Sequence, residues 1–163
     1  MEGAWLVAAG KNSKLKTQNA KRAVARKATA VGDDGVTIGE LKRMMVAFVW
    51  EREWGKYHTP RNLAASVAVE AGELLELFQW LTPEEAGRRC KEDAAFRRAL
   101  GEEMCDVMMY LIGLANVAGI EVGEAIFAKM ARNREKYPVD RFKGWYERPV
   151  GGGTEVKSSK VKG

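Results

Sequence analysis

The sequence predicts an all-α fold, a four-helix bundle in which short links join the helices. Apolar residues between positions 36 and 148 recur at the spacing of amphipathic helices, and the alternation typical of strands is rare. Turn residues stand only at intervals. The sequence contains neither an internal repeat nor the βαβ pattern of a parallel sheet. The apolar faces of the helices must therefore pack against one another.

The first two helices have clear sequence boundaries. Thr37 and Glu40 form a predicted capping box, which opens an apolar run that continues to Trp54. Gly55 and Pro60 then interrupt the pattern. The second helix is predicted from about position 62 to position 80 and faces the core with Leu63, Val67, Glu70, Leu74 and Leu77.

The sequence of the second half of the chain predicts one short helix and two longer helices. Thr82 and Pro83 read as the start of the short piece. The third long helix is predicted from about Asp93 to position 118, with Gly119 as a left-handed stop. The fourth starts near position 121 and ends before Pro138. Metal sites in such bundles are built from inward side chains on facing helices.

Composition predicts one domain with basic ends. At 163 residues and 46% hydrophobic, the chain fits one compact core, assigned to residues 36–148. Residues 1–35 form a basic segment expected to be disordered, and residues 149–163 form a flexible tail rich in glycine and lysine. The basic start also suits a nucleic-acid arm or an organelle transit peptide. These alternatives do not affect the central helices.

The remaining composition predicts a soluble protein of a reducing compartment, expected in the cytoplasm. Charges or glycines interrupt every apolar run before the roughly 18 residues needed to cross a bilayer, so no membrane partner is expected. Cys90 and Cys105 stand apart and suggest neither a disulfide framework nor a zinc site. The single histidine, His58, also excludes histidine zinc clusters and disfavours a di-iron bundle. Any metal must be held mainly by oxygen, which favours Mg²⁺ or Mn²⁺.

Four acidic residues interrupt the apolar stripes of the second and third helices. Glu70 occupies a core-facing position with Glu73 one turn later, and Glu103 does the same with Asp106. A single E-x-x-E pair is typical of a solvated surface. Two pairs facing one core need compensation, since buried carboxylates repel one another and lose solvation. A divalent cation supplies this compensation, and Mg²⁺ is favoured over a structural calcium. Glu102 is a secondary candidate for a ligand.

Several motifs resemble one known family. The stretches from Pro60 to Leu63, from Glu70 to Leu74 and from Phe78 to Trp80 are similar to the dCTP pyrophosphatase branch of the all-α MazG-like superfamily. The stretch from Gly101 to Val107 resembles its second acidic motif, and the stretch from Lys129 to Pro138 resembles its terminal motif. The match covers about residues 38–138 in order.

This resemblance implies a fold of the MazG-like type and an enzyme that hydrolyses a nucleoside triphosphate to the monophosphate and pyrophosphate. It implies Mg²⁺, with Mn²⁺ as a possible substitute, held by four ligands that also form the catalytic set. They are Glu70, Glu73, Glu103 and Asp106. A role in cleaning the nucleotide pool and assembly as a homotetramer or homodimer are implied as well. Which carboxylate activates water stays open.

The resemblance also implies a substrate pocket. Residues expected around the nucleobase or phosphates are Trp54, His58, Arg61, Trp80, Tyr110, Lys129, Asn133, Lys136 and Tyr137. Core packing and helix-dipole compensation are the plainer explanations of the aromatics and lysines. Related all-α branches differ in the base pocket, but Trp54, Trp80 and the K-x-x-x-N pattern favour dCTP or a modified pyrimidine nucleotide. The alternatives are another base specificity, or a helical module without enzymatic activity whose basic N-terminal arm binds nucleic acid.

Overall fold

A computed structural model describes residues 32–144, and the predicted all-α fold is confirmed in them because they contain helices and turns but no strand. Most of the basic N-terminal segment and the whole C-terminal tail lie outside the described residues. The predicted limits of residues 1–35, 36–148 and 149–163 therefore stay predictions.

Six α-helices follow one another along the described chain. They are α1 (Ile38–Glu51), α2 (Pro60–Glu76), α3 (Pro83–Glu92), α4 (Ala94–Ala118), α5 (Val122–Lys136) and α6 (Val139–Phe142). Short 3₁₀ turns occur at Asp33–Gly35 and Trp54–Lys56. The four long helices match the four that the sequence predicts.

Local side-chain chemistry starts these helices where the sequence predicts. The Thr37 hydroxyl accepts from the Glu40 N–H at 3.2 Å, while the Thr37 N–H donates to the Glu40 carboxylate at 2.9 Å. Thr82 caps α3 in the same way. The Asp93 carboxylate accepts from two N–H groups at the start of α4, each at 3.0 Å. Satisfying these otherwise free donors stabilises each first turn by roughly 1 kcal/mol.

The helix ends differ more from expectation. Helix α4 stops as predicted at Gly119, whose φ of 66° is left-handed. Helix α1 instead ends at Glu51 rather than near Trp54, because Glu53 takes a left-handed conformation with φ 54°. Helix α2 ends at Glu76 and passes into turns before Trp80. The short α6 was not predicted.

Helices α2 and α4 pack against each other more extensively than any other helix pair in residues 32–144. Leu63, early in α2, lies next to Gly113, late in α4, where a Cβ would meet Leu63 Cδ2 at 3.4 Å. Phe78, just after α2, packs edge to face on Phe96 near the start of α4, with ring centroids 5.4 Å apart. Contacts that advance along α2 thus move backwards along α4. The two helices are antiparallel.

A polar strap joins α1 to the turn that follows α4. The Lys42 ammonium donates to the Ile120 carbonyl at 2.9 Å and to the Glu121 carboxylate at 3.1 Å. In the reverse direction, the Asn116 side-chain amide donates to the Lys42 carbonyl at 3.0 Å. The Lys42 side chain is only 16% exposed. The strap therefore satisfies polar groups that the helix packing partly removes from water.

The described chain buries few large apolar side chains. The buried hydrophobic residues of the described chain are Val49, Leu63, Phe96 and Ala115. In contrast, Trp50, Leu75, Trp80 and Phe127 are all more than 60% exposed.

Contacts divide the chain into two units, Met1–Ala125 and Ile126–Gly163, so that the boundary falls within α5. No single helix in residues 32–144 is long and apolar enough to cross a membrane, although α4 and α5 together pass by length and composition as one bent pair.

Candidate active site

The antiparallel pairing of α2 and α4 brings their acidic motifs opposite each other. One carboxylate oxygen from each of Glu70, Glu73 and Glu103 lies within 4.8 Å of the others. Glu70 and Glu103 are half-buried and Glu73 is exposed. We name these three residues the acidic cluster. Its spacing allows one small cation to contact a carboxylate from each residue.

Asp106 completes the predicted set of four but does not join the acidic cluster at that distance. It is half-buried on α4, one turn after Glu103. Its charge nevertheless raises the pKa of both Glu70 and Glu103. Asp106 therefore lies at the edge of the same electrostatic site, and its role as a ligand stays a prediction.

The acidic cluster disfavours its own ionised form. Partial desolvation raises the pKa of Glu70, and the charges of Glu73, Asp106 and Glu103 raise it further. Desolvation likewise raises the pKa of Glu103, with further contributions from nearby acids. One of these acids is Glu76, which the sequence analysis missed, although it continues the three-residue spacing of Glu70 and Glu73. Mutual repulsion is thus a property of the folded protein.

Positive side chains do not offset this charge in the described chain. Among residues 32–144, none of the four predicted ligands lies within salt-bridge distance of lysine, arginine or histidine. A donor set made only of carboxylates fits a hard divalent cation such as Mg²⁺. Soft metals prefer the thiolate and imidazole ligands that this cluster lacks.

Two predicted substrate residues lie on the same helix pair. Tyr110 is half-buried on α4, one turn beyond Asp106, and so continues the stripe of Glu103. Arg61 is exposed in the first turn of α2, nine residues before Glu70. At 1.5 Å per residue, that places its backbone about 14 Å along the helix from the acidic cluster.

Trp54 and His58 come together in the turn between α1 and α2. The His58 N–H donates to the Trp54 carbonyl at 3.3 Å. The Trp54 side chain is 44% exposed, while His58 is half-buried and desolvation lowers its pKa. The His58 Nδ1 is buried without a hydrogen-bond partner in residues 32–144. A polar atom in this state is suited to a ligand that supplies the missing partner.

The structure separates the two tryptophans that the sequence analysis places around one nucleobase. Trp54 precedes α2 and Trp80 follows it, and the 17 residues of α2 span about 25 Å. Trp80 is also 85% exposed. Within one protomer, these two candidate stacking surfaces therefore lie at opposite ends of α2.

The predicted phosphate-binding residues lie in the second unit. Lys129, Asn133 and Lys136 follow one stripe of α5, with Asn133 half-buried and both lysines exposed. Tyr137 comes directly after α5, and its ring packs edge to face on Phe142 with centroids 5.3 Å apart. The Lys136 Nζ lies 5.1 Å from the centre of the Tyr137 ring. Their roles stay predictions.

Comparison with known proteins identifies the family of the chain. The model of the MazG-like family matches residues 65–148, which include both acidic motifs. Because this match covers more than half of the sequence, the chain belongs to the MazG-like family. The predicted fold type is thereby confirmed.

Curated relatives and a solved structure extend the comparison. The chain is 39% identical over 108 residues to dCTP pyrophosphatase 1 of Bos taurus, and 40% identical over 102 residues to the protein of that name from Homo sapiens. The matches cover 66% and 63% of this chain, but only 63% and 59% of those relatives. A pyrophosphatase from Archaeoglobus fulgidus is 37% identical with a TM-score of 0.58, over 67% of this chain and 99% of that protein.

Proposed function

We propose that this protein is a Mg²⁺-dependent nucleoside triphosphate pyrophosphohydrolase that hydrolyses dCTP, or a related modified pyrimidine nucleotide, to the monophosphate and pyrophosphate. The acidic cluster carries this proposal. Three carboxylates within 4.8 Å of one another, with the pKa of two of them raised, form a site that a divalent cation stabilises. The names of the relatives support the nucleotide and the bond.

The residues of the acidic cluster would hold the metal and set its position. Glu70 and Glu103 are half-buried, so their side chains have restricted freedom, while Glu73 is exposed to solvent. Bound Mg²⁺ supplies positive charge that neutralises the phosphate oxygens and favours deprotonation of the attacking water. Asp106 adds negative charge at the edge of the site, which strengthens cation binding.

The nucleotide would extend from this cluster to the aromatic groups. The exposed part of the Trp54 ring offers a stacking surface, and stacking on a base is worth about 1 to 3 kcal/mol. His58 would hydrogen-bond the base edge through its unpartnered Nδ1. Arg61 and Tyr110 would add contacts from α2 and α4. Lys129, Asn133, Lys136 and Tyr137, on α5 and just after it, keep their predicted role as phosphate-binding residues.

We further propose that the active protein is a homo-oligomer. Four buried hydrophobic residues in the described chain are few for a stable monomer, and many large apolar side chains are exposed. The separation of Trp54 from Trp80 supports the same conclusion, because a second copy can place its Trp80 beside the first copy's Trp54. Assembly would then complete both the core and the nucleobase pocket.

The function is tested by measuring pyrophosphate release from a panel of ribonucleoside and deoxyribonucleoside triphosphates with Mg²⁺, with Mn²⁺ and with EDTA. We expect release with either metal, none with EDTA, and the highest kcat/KM for dCTP or its modified forms. The nucleotide product should be the monophosphate. Failure to turn over any nucleotide would contradict the enzymatic proposal.

The same preparation tests the nucleic-acid alternative. That alternative predicts affinity for DNA or RNA that falls steeply with salt and is lost when the residues before Val36 are removed. The enzymatic proposal predicts that this truncation leaves hydrolysis intact.

A further inference from the structure

An arginine in the turn after α1 has no part in the site described above. The Arg52 guanidinium carbon lies 3.6 Å from the centroid of the Phe48 ring and 5.9 Å from that of the Trp54 ring. Phe48 and Trp54 pack edge to face with their centroids 5.9 Å apart. Arg52 therefore packs on Phe48, Phe48 packs on Trp54, and the guanidinium lies within cation–π range of the indole. We name these three side chains the Arg52 triangle.

Backbone and charge contacts hold the Arg52 side chain in place. Its Nη1 donates to the Phe48 carbonyl at 3.0 Å, which satisfies a carbonyl left free in the last turn of α1. The same nitrogen lies 3.7 Å from a carboxylate oxygen of Glu51. A planar guanidinium bound by a ring, a carbonyl and a carboxylate has few other orientations available.

The turn that carries Trp54 contains a backbone conformation that is uncommon for residues with side chains. Glu53, between Arg52 and Trp54, is the non-glycine residue with positive φ in residues 32–144. Residues with side chains adopt this conformation only when their surroundings enforce it. After it, the Trp54 carbonyl accepts from the N–H groups of Tyr57 at 2.9 Å and His58 at 3.3 Å. The turn therefore presents Trp54 and His58 together, with part of the indole open to solvent.

We propose that Arg52 is a positioning residue for nucleotide binding: through the Arg52 triangle it holds the Trp54 indole in the orientation in which its exposed surface stacks on the nucleobase. The stacking role of Trp54 rests on the function proposed above. Arg52 acts through Trp54 and does not contact the nucleotide. Its loss should therefore weaken binding and leave the chemical step unchanged.

The first experiment needs no substrate. In the ¹⁵N-labelled full-length chain, the indole N–H resonance of Trp54 is identified by its loss in Trp54→Phe. Arg52→Met should shift or broaden that resonance, and Arg52→Lys should restore only part of its position, because an ammonium keeps the charge but cannot stack flat. Arg43→Met, which removes an exposed arginine from the preceding helix α1, is the matched control and should leave the resonance unchanged. An unmoved resonance in Arg52→Met would overturn the proposal.

The second experiment measures hydrolysis of dCTP. Arg52→Met should raise KM about tenfold with kcat within about twofold, since base stacking is worth about 1 to 3 kcal/mol and part of it is lost. In a Trp54→Ala background, Arg52→Met should have no further effect on KM. A further tenfold rise in that background, or a fall in kcat alone, would contradict action through Trp54. If the wild-type chain hydrolyses no nucleotide, the proposed function fails, while the resonance of Trp54 still decides the positioning role.

Discussion

Each face of α2 departs from the usual pattern of a globular helix, the inner face by a half-buried acid and the outer face by exposed apolar side chains. The inner face, toward α4, includes the buried Leu63 and the half-buried Glu70. The outer face, which we define as Ala65, Ala68, Val69, Gly72 and Leu75, is apolar yet exposed, with Val69 58% and Leu75 65% accessible. Helices normally bury the apolar face and expose the charged one. These departures support the proposals that the inner face binds a cation and that the outer face is covered by a second copy of the chain.

The acidic cluster, to which Glu70 of the inner face belongs, is tested most strongly by Glu73→Gln. We expect pyrophosphate release to fall at least about 100-fold, because one charge of the proposed metal site is lost. The metal-free variant should not melt below the wild type, since removing the charge of Glu73 relieves repulsion on Glu70 and Glu103. Steady-state kinetics and thermal melting in EDTA check both expectations.

Glu84→Gln, in the first turn of α3, is the control for that change and should keep full activity. Wild-type activity in Glu73→Gln would remove Glu73 from the catalytic set. A large fall in its melting temperature would mean that the carboxylate has a structural role.

The outer face is tested by Leu75→Glu. If a second copy covers this face, a buried charge there costs about 3 kcal/mol or more and should dissociate the oligomer. An isolated protomer would tolerate the change to within about 0.5 kcal/mol. Light scattering coupled to size-exclusion chromatography measures the mass. Ala94→Glu, which adds a charge to the exposed start of α4, should leave the assembly intact; an unchanged mass in Leu75→Glu would exclude the outer face from the interface.

Two helical glycines provide a finer comparison. In the protomer, a Cβ at Gly72 or at Gly87 meets nothing within 4 Å. Gly87→Ala should therefore raise the free energy of unfolding by about 0.5 to 1 kcal/mol. If a second copy lies against the outer face, as proposed, Gly72→Ala should gain less. Urea titration compares them, and equal gains would show that Gly72 stays open in solution.

The smallest expected effect is the pH dependence that comes from His58. Desolvation lowers its pKa in the folded protein, so the unfolded chain binds a proton more readily near the ordinary value of about 6.5. His58 therefore contributes stability above that pH, and the contribution is lost as the pH falls through about 6.5 toward the lower folded value. The free energy of unfolding, measured at several pH values, should depend less steeply on pH in His58→Gln than in the wild type. Because the chain has one histidine, identical slopes would contradict the desolvation of His58.

The helix starts were predictable because they depend on neighbouring residues. Thr37 with Glu40, Thr82 with Glu85, and Asp93 all act within one turn of their own position. The end of α1 was not predictable in the same way. Its left-handed residue is Glu53, whereas a sequence pattern indicates such a position mainly through glycine or asparagine.

The acidic cluster was partly predictable. Periodicity placed Glu70 and Glu103 toward a core, but the exclusion of Asp106 from the closest group depends on the relative rotation of α2 and α4. The separation of Trp54 from Trp80 likewise depends on where α2 begins and ends. Arg52 could have been noticed from its i, i+4 spacing to Phe48, although its proximity to Trp54 requires the turn at Glu53.

The Lys42 strap has a consequence for the order in which the first unit assembles. It links residues 74 to 79 positions apart, whereas α2 and α4 meet across the short α3. Long loops close at a greater entropic cost, so we expect the α2–α4 hairpin to form before α1 docks. In local opening, α1 should then detach first. The turn with Arg52 and Trp54 directly follows α1, so it would loosen while the acidic cluster is still assembled.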